Sequence, residues 1–377
     1  MAHHINNEKN ILTSVQGRYG KINFLINDDP IGYSLQNYGE WGQVELDKIL
    51  TLMRFGDHVI DVGANVGSYT LAFSRKVGET GKVIAFEAQN YLAKILEKSL
   101  LDNDVNNVLL VEMAVSDKEE VLYFKEPDYD AHINAGAVSL TSVKATNMRQ
   151  VSCVRLDDMQ VTRCDLIKID VEGMSDKVLD GAIEIIENFR PIIVLEVNDI
   201  SEGLAISSKL SSLNYEQWLI VSSAFNPNNL MRNMNNPFGH AAEMAIIAVH
   251  STRVGELELD KLGTKIYSAD QLAELILQCP RYGDHTPYDR NINILRSLID
   301  KANVELAKLQ DETLRLHYRM ALLEQRAAAF EAENINMEAA QRRDVNEVIA
   351  QLNRVYQSKS WKLTAPLRTF NRALARK

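Results

Sequence analysis

A short acidic and glycine-containing stretch, HVIDVGANVGSYTL (residues 58–71), has the residue types and spacing of a small-molecule site. Asp61 lies within an apolar run, and Gly63 and Gly67 follow it. The pattern predicts a buried strand, a tight turn and a helix that begins at Ser68. Glycines in such a turn allow a ligand to approach the backbone closely. A turn with a purely structural role is the alternative interpretation.

A second acid is placed where a nucleoside could bind. The stretch GKVIAFEAQ (residues 81–89) predicts another buried strand, which ends at Glu87. A carboxylate after the second strand of a doubly wound sheet accepts hydrogen bonds from ribose hydroxyls. The glycine spacing is G-x-x-x-G, which differs from the dinucleotide fingerprint, and no Gly-Lys-Ser/Thr follows it as in a P-loop. A solvated loop acid is the alternative for Glu87.

Alternating strands and helices must position these residues. Strands are predicted near 58–62, 82–87, 107–113, 165–171 and 191–197. Helices are predicted near 68–77, 90–102 and 176–188. This alternation is typical of a mainly parallel α/β sheet. Later strands near 215–221 and 243–249 are expected to form an antiparallel pair at the sheet edge, and residues 1–56 to form an N-terminal cap.

The C-terminal part has a different periodicity. From residue 295 apolar positions alternate spacings of four and three, and they continue to Tyr356 after a step that resembles a stutter at Val345. This heptad pattern predicts a coiled coil over residues 293–357 and a parallel homo-oligomer. A helical hairpin folded onto the catalytic body is the alternative.

The last segment, 358–377, is basic and amphipathic. It contains six Lys or Arg and no acid, with apolar residues such as Trp361 and Phe370 between them. We expect this tail to contact a membrane surface or partner enzymes. A solvated, disordered tail is the alternative.

Composition and net charge argue against several other classes of protein. The chain has 377 residues, 46% of them hydrophobic, and a net charge of −10, which disfavours a nucleic-acid partner. Its three cysteines lack metal or disulfide spacing. No signal peptide or long apolar run is present, so we expect a cytoplasmic protein. Residues 57–250 are predicted to be the catalytic domain and 251–292 a connecting segment.

Two motifs in fixed order carry a family resemblance. The stretch D-V-G-A-N-x-G is followed by K-I-D-V-E-G, with VIAFEAQ, NVLLVEMAVSD and VRLDDM between them. Together they are similar to the FkbM family of methyltransferases over about residues 38–250. The resemblance implies a class I methyltransferase fold, a Rossmann-like doubly wound α/β sheet with an antiparallel edge strand. It also implies methyl transfer from S-adenosyl-L-methionine, generally to a hydroxyl oxygen.

The resemblance also assigns expected roles to individual residues. The turn residues would face the methionine part of the cofactor, Glu87 would hold the ribose, and the segment after the third strand would lie near the adenine. Two residues of the N-terminal cap would cover the cofactor. The expected cofactor-binding residues are Glu40, Trp41, Asp61, Gly63, Asn65, Gly67, Glu87, Ala114 and Val115.

A general base is expected because a hydroxyl is a weak nucleophile. The K-I-D-V-E-G stretch places Asp170 and Glu172 at the end of the fourth strand of the sheet, and either could accept the proton. Their alternative role is to cap the next helix. His240, on a loop, is a third candidate, although a structural histidine is more common. Glu196 and Asn198 could line the acceptor pocket, and no metal is expected to be required.

The sequence therefore leaves three functional hypotheses. The first is an O-methyltransferase acting on a sugar hydroxyl of a glycan, glycolipid or surface-polysaccharide precursor, working at the inner membrane face. The second is a catalytically idle scaffold that organises polysaccharide-synthesis partners through its coiled coil. The third is an O-methyltransferase of a polyketide or another small molecule.

Overall fold

The computed structural model describes residues 11–280, 304, 308–326 and 342–358. The chain divides into two units, residues 1–291 and 292–377. The strands of the first unit are β1 (Leu12–Gly17), β2 (Gly20–Leu25), β3 (His58–Val62), β4 (Lys82–Phe86), β5 (Val108–Val111), β6 (Ala114–Val115), β7 (Val121–Lys125), β8 (Met148–Val154), β9 (Leu166–Ile169), β10 (Ile192–Glu196), β11 (Tyr215–Ser223), β12 (Ala242–His250) and β13 (Thr264–Lys265). Its α-helices are α1 (Ile31–Tyr38), α2 (Gln43–Thr51), α3 (Ser68–Val77), α4 (Asn90–Asp102), α5 (Ser175–Asp180), α6 (Ile183–Phe189), α7 (Ile200–Ser212) and α8 (Ala269–Gln278).

A mixed sheet at the centre of the first unit has the strand order β13-β11-β12-β10-β9-β3-β4-β5. Strands β5, β4, β3, β9 and β10 are parallel, whereas β12 is antiparallel to both β10 and β11. The chain order reverses between β3 and β9. In doubly wound sheets a ligand binds at such a switch point, beyond the carboxyl ends of the strands. The predicted doubly wound fold with an antiparallel strand is therefore confirmed.

The parallel strands are apolar on both faces because helices cover both sides. Val59, Ile60 and Val62 of β3 are each at most 2% exposed. Strand β9 is buried at all four positions, and Lys168 is its polar member. A charged residue at a fully buried strand position needs a partner, and its partners lie at the site described below.

Helix boundaries agree closely with the sequence pattern, with one exception. Helices α3 and α4 have the predicted limits. The single helix predicted near 176–188 is instead divided into α5 and α6 at Gly181. A Cβ on Gly181 would lie 2.1 Å from the carbonyl oxygen of Ser116, so the small-residue break lets the chain pass close to that backbone.

The N-terminal cap and an additional small sheet complete the first unit. Strands β1 and β2 pair antiparallel, and helix α4 packs against β2. Strands β6, β8 and β7 form a separate sheet in that order, where the sequence indicated additional strands around a polar loop. Strand β13 pairs with β11, so the predicted antiparallel pair of β11 and β12 does not form the outer edge.

The second unit is helical in its described parts, at 308–326 and at Arg342–Gln357. In the first segment the predicted heptad positions are the less exposed ones, and Met320 and Leu323 are buried. In the second helix Val348 and Val355 are buried, whereas the predicted Ile349 and Tyr356 are 45% and 42% exposed. Val348 and Val355 are the positions that an uninterrupted heptad pattern, counted on from residue 337, would occupy, so the buried face of this helix does not follow the predicted stutter.

Much of the predicted coiled coil and the basic tail lie outside the described part of the chain. These are residues 293–303, 305–307 and 327–341 of the coiled coil and 359–377 of the tail. Across the described helices, none has both the length and the apolar character that crossing a membrane requires.

Candidate active site

A cavity of about 680 Å³ opens at the carboxyl ends of β3, β4, β9 and β10. The N-terminal cap, the loop at 134–140 and the loop before β12 close its other sides. Of the residues that sequence analysis singled out, the lining includes Trp41, Gly63, Asn65, Glu87, Ala114, Val115, Asp170, Glu172, Glu196 and Asn198. Residues that can bind or react with a ligand are therefore brought together in one cavity from the ends of four strands.

The turn after β3 can adopt its shape because of its glycines. Gly63 has φ +85°, and an added Cβ would lie 1.9 Å from the carbonyl oxygen of Asp170. The Asp170 N–H also donates to the carbonyl oxygen of Val62, at 3.0 Å. The glycine turn and the end of β9 are thus packed backbone to backbone, which leaves no room for a side chain at position 63.

The second glycine of the turn has a packing role. Gly67 has φ +93° and immediately precedes helix α3, and a Cβ there would lie 2.2 Å from the Leu96 side chain. It does not line the cavity. Ser68, the first residue of the helix, does line the cavity, and its hydroxyl has no hydrogen-bond partner among the described residues. A buried hydroxyl in this position is available to a ligand.

Glu87 is fixed at the cavity wall by two backbone groups. Its carboxylate oxygens accept hydrogen bonds from the N–H groups of Asn65 at 2.8 Å and Gln89 at 2.7 Å. The residue is only 5% exposed, and burial raises the pKa of its carboxyl to about 7 despite these two hydrogen bonds. Each carboxylate oxygen keeps further lone pairs that can accept ligand hydroxyls.

A loop that sequence analysis did not single out covers the Glu87 end of the cavity. Asn134, Gly136, Ala137, Val138 and Leu140 line it. The loop is anchored by Asp28, which accepts a hydrogen bond from the N–H of Ala135 at 2.8 Å, and by Gln89, which donates to the Ala135 carbonyl at 2.8 Å. Both anchors come from distant parts of the sequence, so no local pattern could reveal the loop's function.

Lys168, Asp61 and Asp170 form a charged cluster beside the cavity, in which Lys168 and Asp61 are buried and Asp170 is partly exposed. In the sheet register Asp61 of β3 is directly opposite Lys168 of β9. The Lys168 Nζ lies 3.6 Å from Asp61 Oδ1 and 3.0 Å from Asp170 Oδ2, and 4.8 Å from the centre of the Tyr69 ring. Burial acts against the charged amine, but the charges of Asp170 and Asp61 raise the pKa of Lys168 overall. The lysine therefore stays protonated.

Asp61 supports the site without lining it. Its side chain is fully buried, and its second oxygen accepts a hydrogen bond from the Thr70 hydroxyl at 2.6 Å. It thereby connects β3, β9 and helix α3. The structure thus gives Asp61 a supporting position below the turn, in place of the direct contact with cofactor that the resemblance implied.

Several carboxyl groups lie at the other end of the cavity. Asp170, Glu172, Glu196 and Glu243 line it. Burial tends to raise the pKa of Asp170, but the adjacent Lys168 charge and two hydrogen bonds hold it below its usual value. Glu45, nearby on α2, has a pKa raised to about 8 by burial and by the charge of Glu243. Strands β9 and β3 lie between β10 and β4 in the sheet, so Glu196 and Glu87 lie on opposite sides of the switch point.

Comparison with known proteins identifies the domain. Residues 61–216 match the model of the methyltransferase FkbM domain. These residues form an FkbM methyltransferase domain. It is a methyltransferase domain that depends on S-adenosylmethionine, and the predicted family and cofactor are confirmed.

Individual proteins show weaker similarity to the chain. The ribosomal RNA large subunit methyltransferase E of Lawsonia intracellularis is 26% identical over 149 residues, which cover 39% of this chain and 70% of that protein. The crystal structure of methyltransferase FkbM from Methylobacillus flagellatus is 15% identical with a TM-score of 0.36, covering 52% of this chain and 45% of that chain. The chain therefore spans less than half of that protein. The SAM-dependent O-methyltransferase of Thermotoga maritima is 16% identical with a TM-score of 0.35, covering 63% of this chain and 77% of that chain.

The cavity of the FkbM domain fits the cofactor. Glu87 presents a carboxylate where a ribose would bind, Gly63 lets the backbone approach, and the Ser68 hydroxyl is buried without a partner among the described residues. Ala114 and Val115 of β6 add apolar wall to the same cavity, and their predicted position near the adenine stays a prediction. Within the described part of the chain, no group of three acidic, histidine or cysteine side chains is arranged to hold a metal ion.

Two of the predicted site residues, Glu40 and His240, do not line the cavity. Glu40 is 7% exposed but does not line the cavity. Its carboxylate is bound by Arg18 Nε at 2.8 Å, by the Asn226 amide at 2.6 Å and by the Leu230 N–H at 3.0 Å. Glu40 therefore connects the cap to the loop before β12. The prediction for Glu40 was wrong because an acid near a cavity can accept hydrogen bonds from the protein as readily as from a ligand.

His240 is the second such residue. It lies exposed on the loop before β12 and does not line the cavity, although Pro237 and Phe238 of the same loop do. The structure does not bring His240 together with Asp170 and Glu172. Trp41, in contrast to its neighbour Glu40, does line the cavity as the resemblance implied.

Proposed function

We propose that the FkbM domain transfers a methyl group to a hydroxyl oxygen on a sugar unit of a glycan, glycolipid or surface-polysaccharide precursor. The observation that carries this proposal is the carboxyl-lined end of the cavity, where Asp170, Glu196 and Asn198 follow strands on the far side of β3 from the Glu87 end. Carboxylates and amides are suited to bind and orient several hydroxyl groups. A cavity of about 680 Å³ with a carboxylate for ribose at one side and a hydroxyl-binding side opposite suits a cofactor and a sugar side by side.

Asp170 is the proposed general base. Its side chain is 43% exposed and lines the cavity, and the Lys168 ammonium 3.0 Å away favours its ionised form. When bound, S-adenosylmethionine supplies an activated methyl group on a positively charged sulfur. A carboxylate of this kind can orient the acceptor hydroxyl and accept its proton as the new carbon–oxygen bond forms. Glu172 also lines the cavity and is the second candidate for this role.

The charge of the cavity favours an uncharged sugar unit at the reacting end. Among the described lining residues Lys168 is the basic one, and it is already paired with Asp61 and Asp170. A phosphate or carboxylate placed there would face several acids without a free cation, and such like-charge contacts cost several kcal/mol. Anionic parts of a precursor would therefore lie outside the cavity.

The remaining parts of the chain support a role in a larger assembly. We propose that residues 293–357 form a homo-oligomer, since apolar residues recur there at heptad positions. We also propose that residues 358–377 hold the enzyme at the inner membrane face or on glycan-building enzymes, since this segment is basic and interleaved with apolar residues. The geometry of the Glu87 end favours an active enzyme over an idle scaffold.

The test is methyl transfer from S-adenosyl-L-[methyl-³H]methionine to neutral glycosides, to matched amino and phosphorylated sugars, and to ribosomal RNA. We expect base-stable methyl ethers on a neutral sugar, lost in Asp170→Asn but kept in the exposed control Glu184→Gln. Label on nitrogen, on RNA or on phosphorylated sugars in preference to neutral ones would contradict the proposal. Cofactor binding without transfer to any of the four classes would favour the scaffold hypothesis.

A further inference from the structure

Two acids that end neighbouring strands lie side by side in the acceptor end of the cavity. Asp170 directly follows β9, and Glu196 ends β10, which is parallel to β9 and adjacent to it. Val194 and Leu195 of β10 pair with Lys168 and Ile169 of β9, so this register continues with Glu196 opposite Asp170, and both acids line the cavity. A fully ionised carboxylate has only acceptors, so a hydrogen bond between two carboxyl groups requires that one of them holds a proton.

The surroundings decide which acid holds that proton. Asp170 has the Lys168 ammonium 3.0 Å away, and so it favours the ionised form. Glu196 is surrounded by acids from three other elements: Asp170 after β9, Glu243 on β12 and Glu45 on α2. The Lys168 amine lies nearer to Asp170 and Asp61, and the Tyr69 phenol packs over it.

The pKa shifts of Glu196 and Asp170 have opposite directions and agree with this assignment of the proton. Burial raises the pKa of Glu196 well above its usual value, and the charge of Asp170 raises it further. The pKa of Asp170 is lowered by Lys168 and by the hydrogen bond from Glu196, against the effect of burial. Two carboxyl groups in contact titrate as a pair, with one proton held strongly and the other released at low pH.

We propose that Glu196 is a positioning residue that keeps a proton at neutral pH and donates it to Asp170, which leaves Asp170 ionised and oriented to accept the acceptor proton. The proposal rests on the function proposed above. Lys168 and Glu196 then hold the Asp170 carboxylate from two sides, and a remaining lone pair faces the cavity. This fixes the base without adding a second negative charge.

The proton and electron count of the step is complete. The acceptor oxygen forms a bond to the methyl carbon supplied by S-adenosylmethionine, and the electron pair of the broken carbon–sulfur bond stays on sulfur. The acceptor proton passes to Asp170, while the proton of Glu196 stays in place. Because the cavity is open to solvent, Asp170 can then release its proton to water.

The first measurement needs no acceptor. Infrared spectra of the full chain in D₂O at pH 7, with S-adenosylhomocysteine bound, report the carbonyl stretch of protonated carboxyl groups. We expect Glu196→Gln to lose one such signal relative to the parent, and the exposed control Glu184→Gln to lose none. Glu45 also contributes a signal at this pH, so the difference between variants is the readout. An unchanged spectrum in folded Glu196→Gln overturns the proposal.

A second variant covers the case in which Glu196→Gln does not fold. In Asp170→Asn the charge that favours the neutral form of Glu196 is absent, so the pH midpoint of the same infrared signal is expected to move down. A midpoint that does not move overturns the proposal.

Kinetics separate positioning from simple packing. With an acceptor, Glu196→Gln keeps a donor to Asp170, and we expect kcat within about fivefold of the parent. Glu196→Ala removes the donor, and we expect kcat to fall at least tenfold, with a shifted acid limb of its pH profile and an unchanged KM for the cofactor. Equal rates and equal pH profiles in Glu196→Ala and the parent overturn the positioning role. The two proposals can fail separately. If Glu196→Gln loses the infrared signal but the parent enzyme methylates nitrogen, the proposed O-methyl transfer is overturned and the proton on Glu196 is not.

Discussion

Removal of the Glu87 carboxylate tests the cofactor site most directly. The carboxylate is 5% exposed, and it accepts the N–H groups of Asn65 and Gln89 at 2.8 and 2.7 Å. In the proposed complex it also accepts the two ribose hydroxyls of the cofactor. Glu87→Ala removes all four interactions, whereas Glu87→Gln keeps one acceptor oxygen.

The expected size of the effect follows from these contacts. A hydrogen bond to a charged group contributes about 1.5–3 kcal/mol, so two ribose hydroxyls contribute about 3 kcal/mol at the lower limit. Since each 1.4 kcal/mol changes an affinity tenfold, Glu87→Ala is expected to weaken binding by about 100-fold or more. Glu87→Gln is expected to lose about tenfold, because one acceptor remains but the charge does not.

Isothermal titration calorimetry with S-adenosylhomocysteine measures this affinity without an acceptor. Glu79→Ala, an exposed acid that does not line the cavity, is the matched control and should bind as the parent does. Circular dichroism and thermal melts establish that Glu87→Ala is folded. A Kd within threefold of the parent in folded Glu87→Ala would refute the ribose assignment.

Four further outcomes are expected. Gly63→Ala should lower the free energy of unfolding by about 3 kcal/mol or more, measured by urea denaturation, because its Cβ would lie 1.9 Å from a carbonyl oxygen at φ +85°. The affinity for S-adenosylhomocysteine should fall as the pH drops through about 7, by up to tenfold per pH unit, because the raised pKa of Glu87 removes its negative charge there. Glu40→Ala should cost about 2 kcal/mol of stability, measured by urea denaturation, with little change in that affinity, since its partners are protein groups and Arg18 is partly exposed. Leu323→Glu should dissociate the proposed oligomer in sedimentation equilibrium, because Leu323 occupies an apolar position of the heptad pattern.

Each of these predictions has its own control or contradicting result. Gly173→Ala is the control for Gly63, since φ is +67° but no atom lies within 4 Å of its Cβ, so only about 1 kcal/mol of backbone strain is expected. A pH-independent affinity between pH 8 and 5.5 would contradict the role of the Glu87 charge. A large loss of affinity in Glu40→Ala would restore it as a cofactor residue. Leu322→Glu, beside Leu323 but outside the heptad positions, should leave the oligomer intact, and a monomeric parent chain would contradict the oligomer itself.

The local elements of this fold could be predicted because short-range patterns decide them. The apolar run around Asp61 and the helix pattern from Ser68 placed β3 and α3 within a residue of their observed limits. Gly63 was predicted at a tight turn, and its φ of +85° confirms the reason for glycine there. The break of the helix at Gly181 was not predicted, since it depends on the close approach of the Ser116 backbone from another part of the chain.

Some residues of the site could likewise be predicted from the sequence, and the positions of others depended on the tertiary structure. Glu87, Gly63 and Asp170 could be singled out from the sequence, because an acid or glycine after a buried strand lies at the carboxyl edge of a parallel sheet whatever the rest of the chain does. The positions of Glu40 and His240 could not, because a single acid or histidine on a connecting segment does not reveal its partners. Glu40 is bound by Asn226 and Leu230, which lie near the opposite end of the domain's sequence.

The sequence by itself therefore determined which segments form strands, turns and helices, and which acids end the strands. Only the tertiary structure decided which of these acids meet. Asp61 faces Lys168 through the register of β3 and β9, although the two are far apart in sequence, and Asp170 meets Glu196 because β9 and β10 are parallel neighbours. Local spacing fixes backbone conformation and the face on which a side chain lies. Proton sharing and charge pairing depend on distances between strands, and those distances are set only when the sheet is assembled.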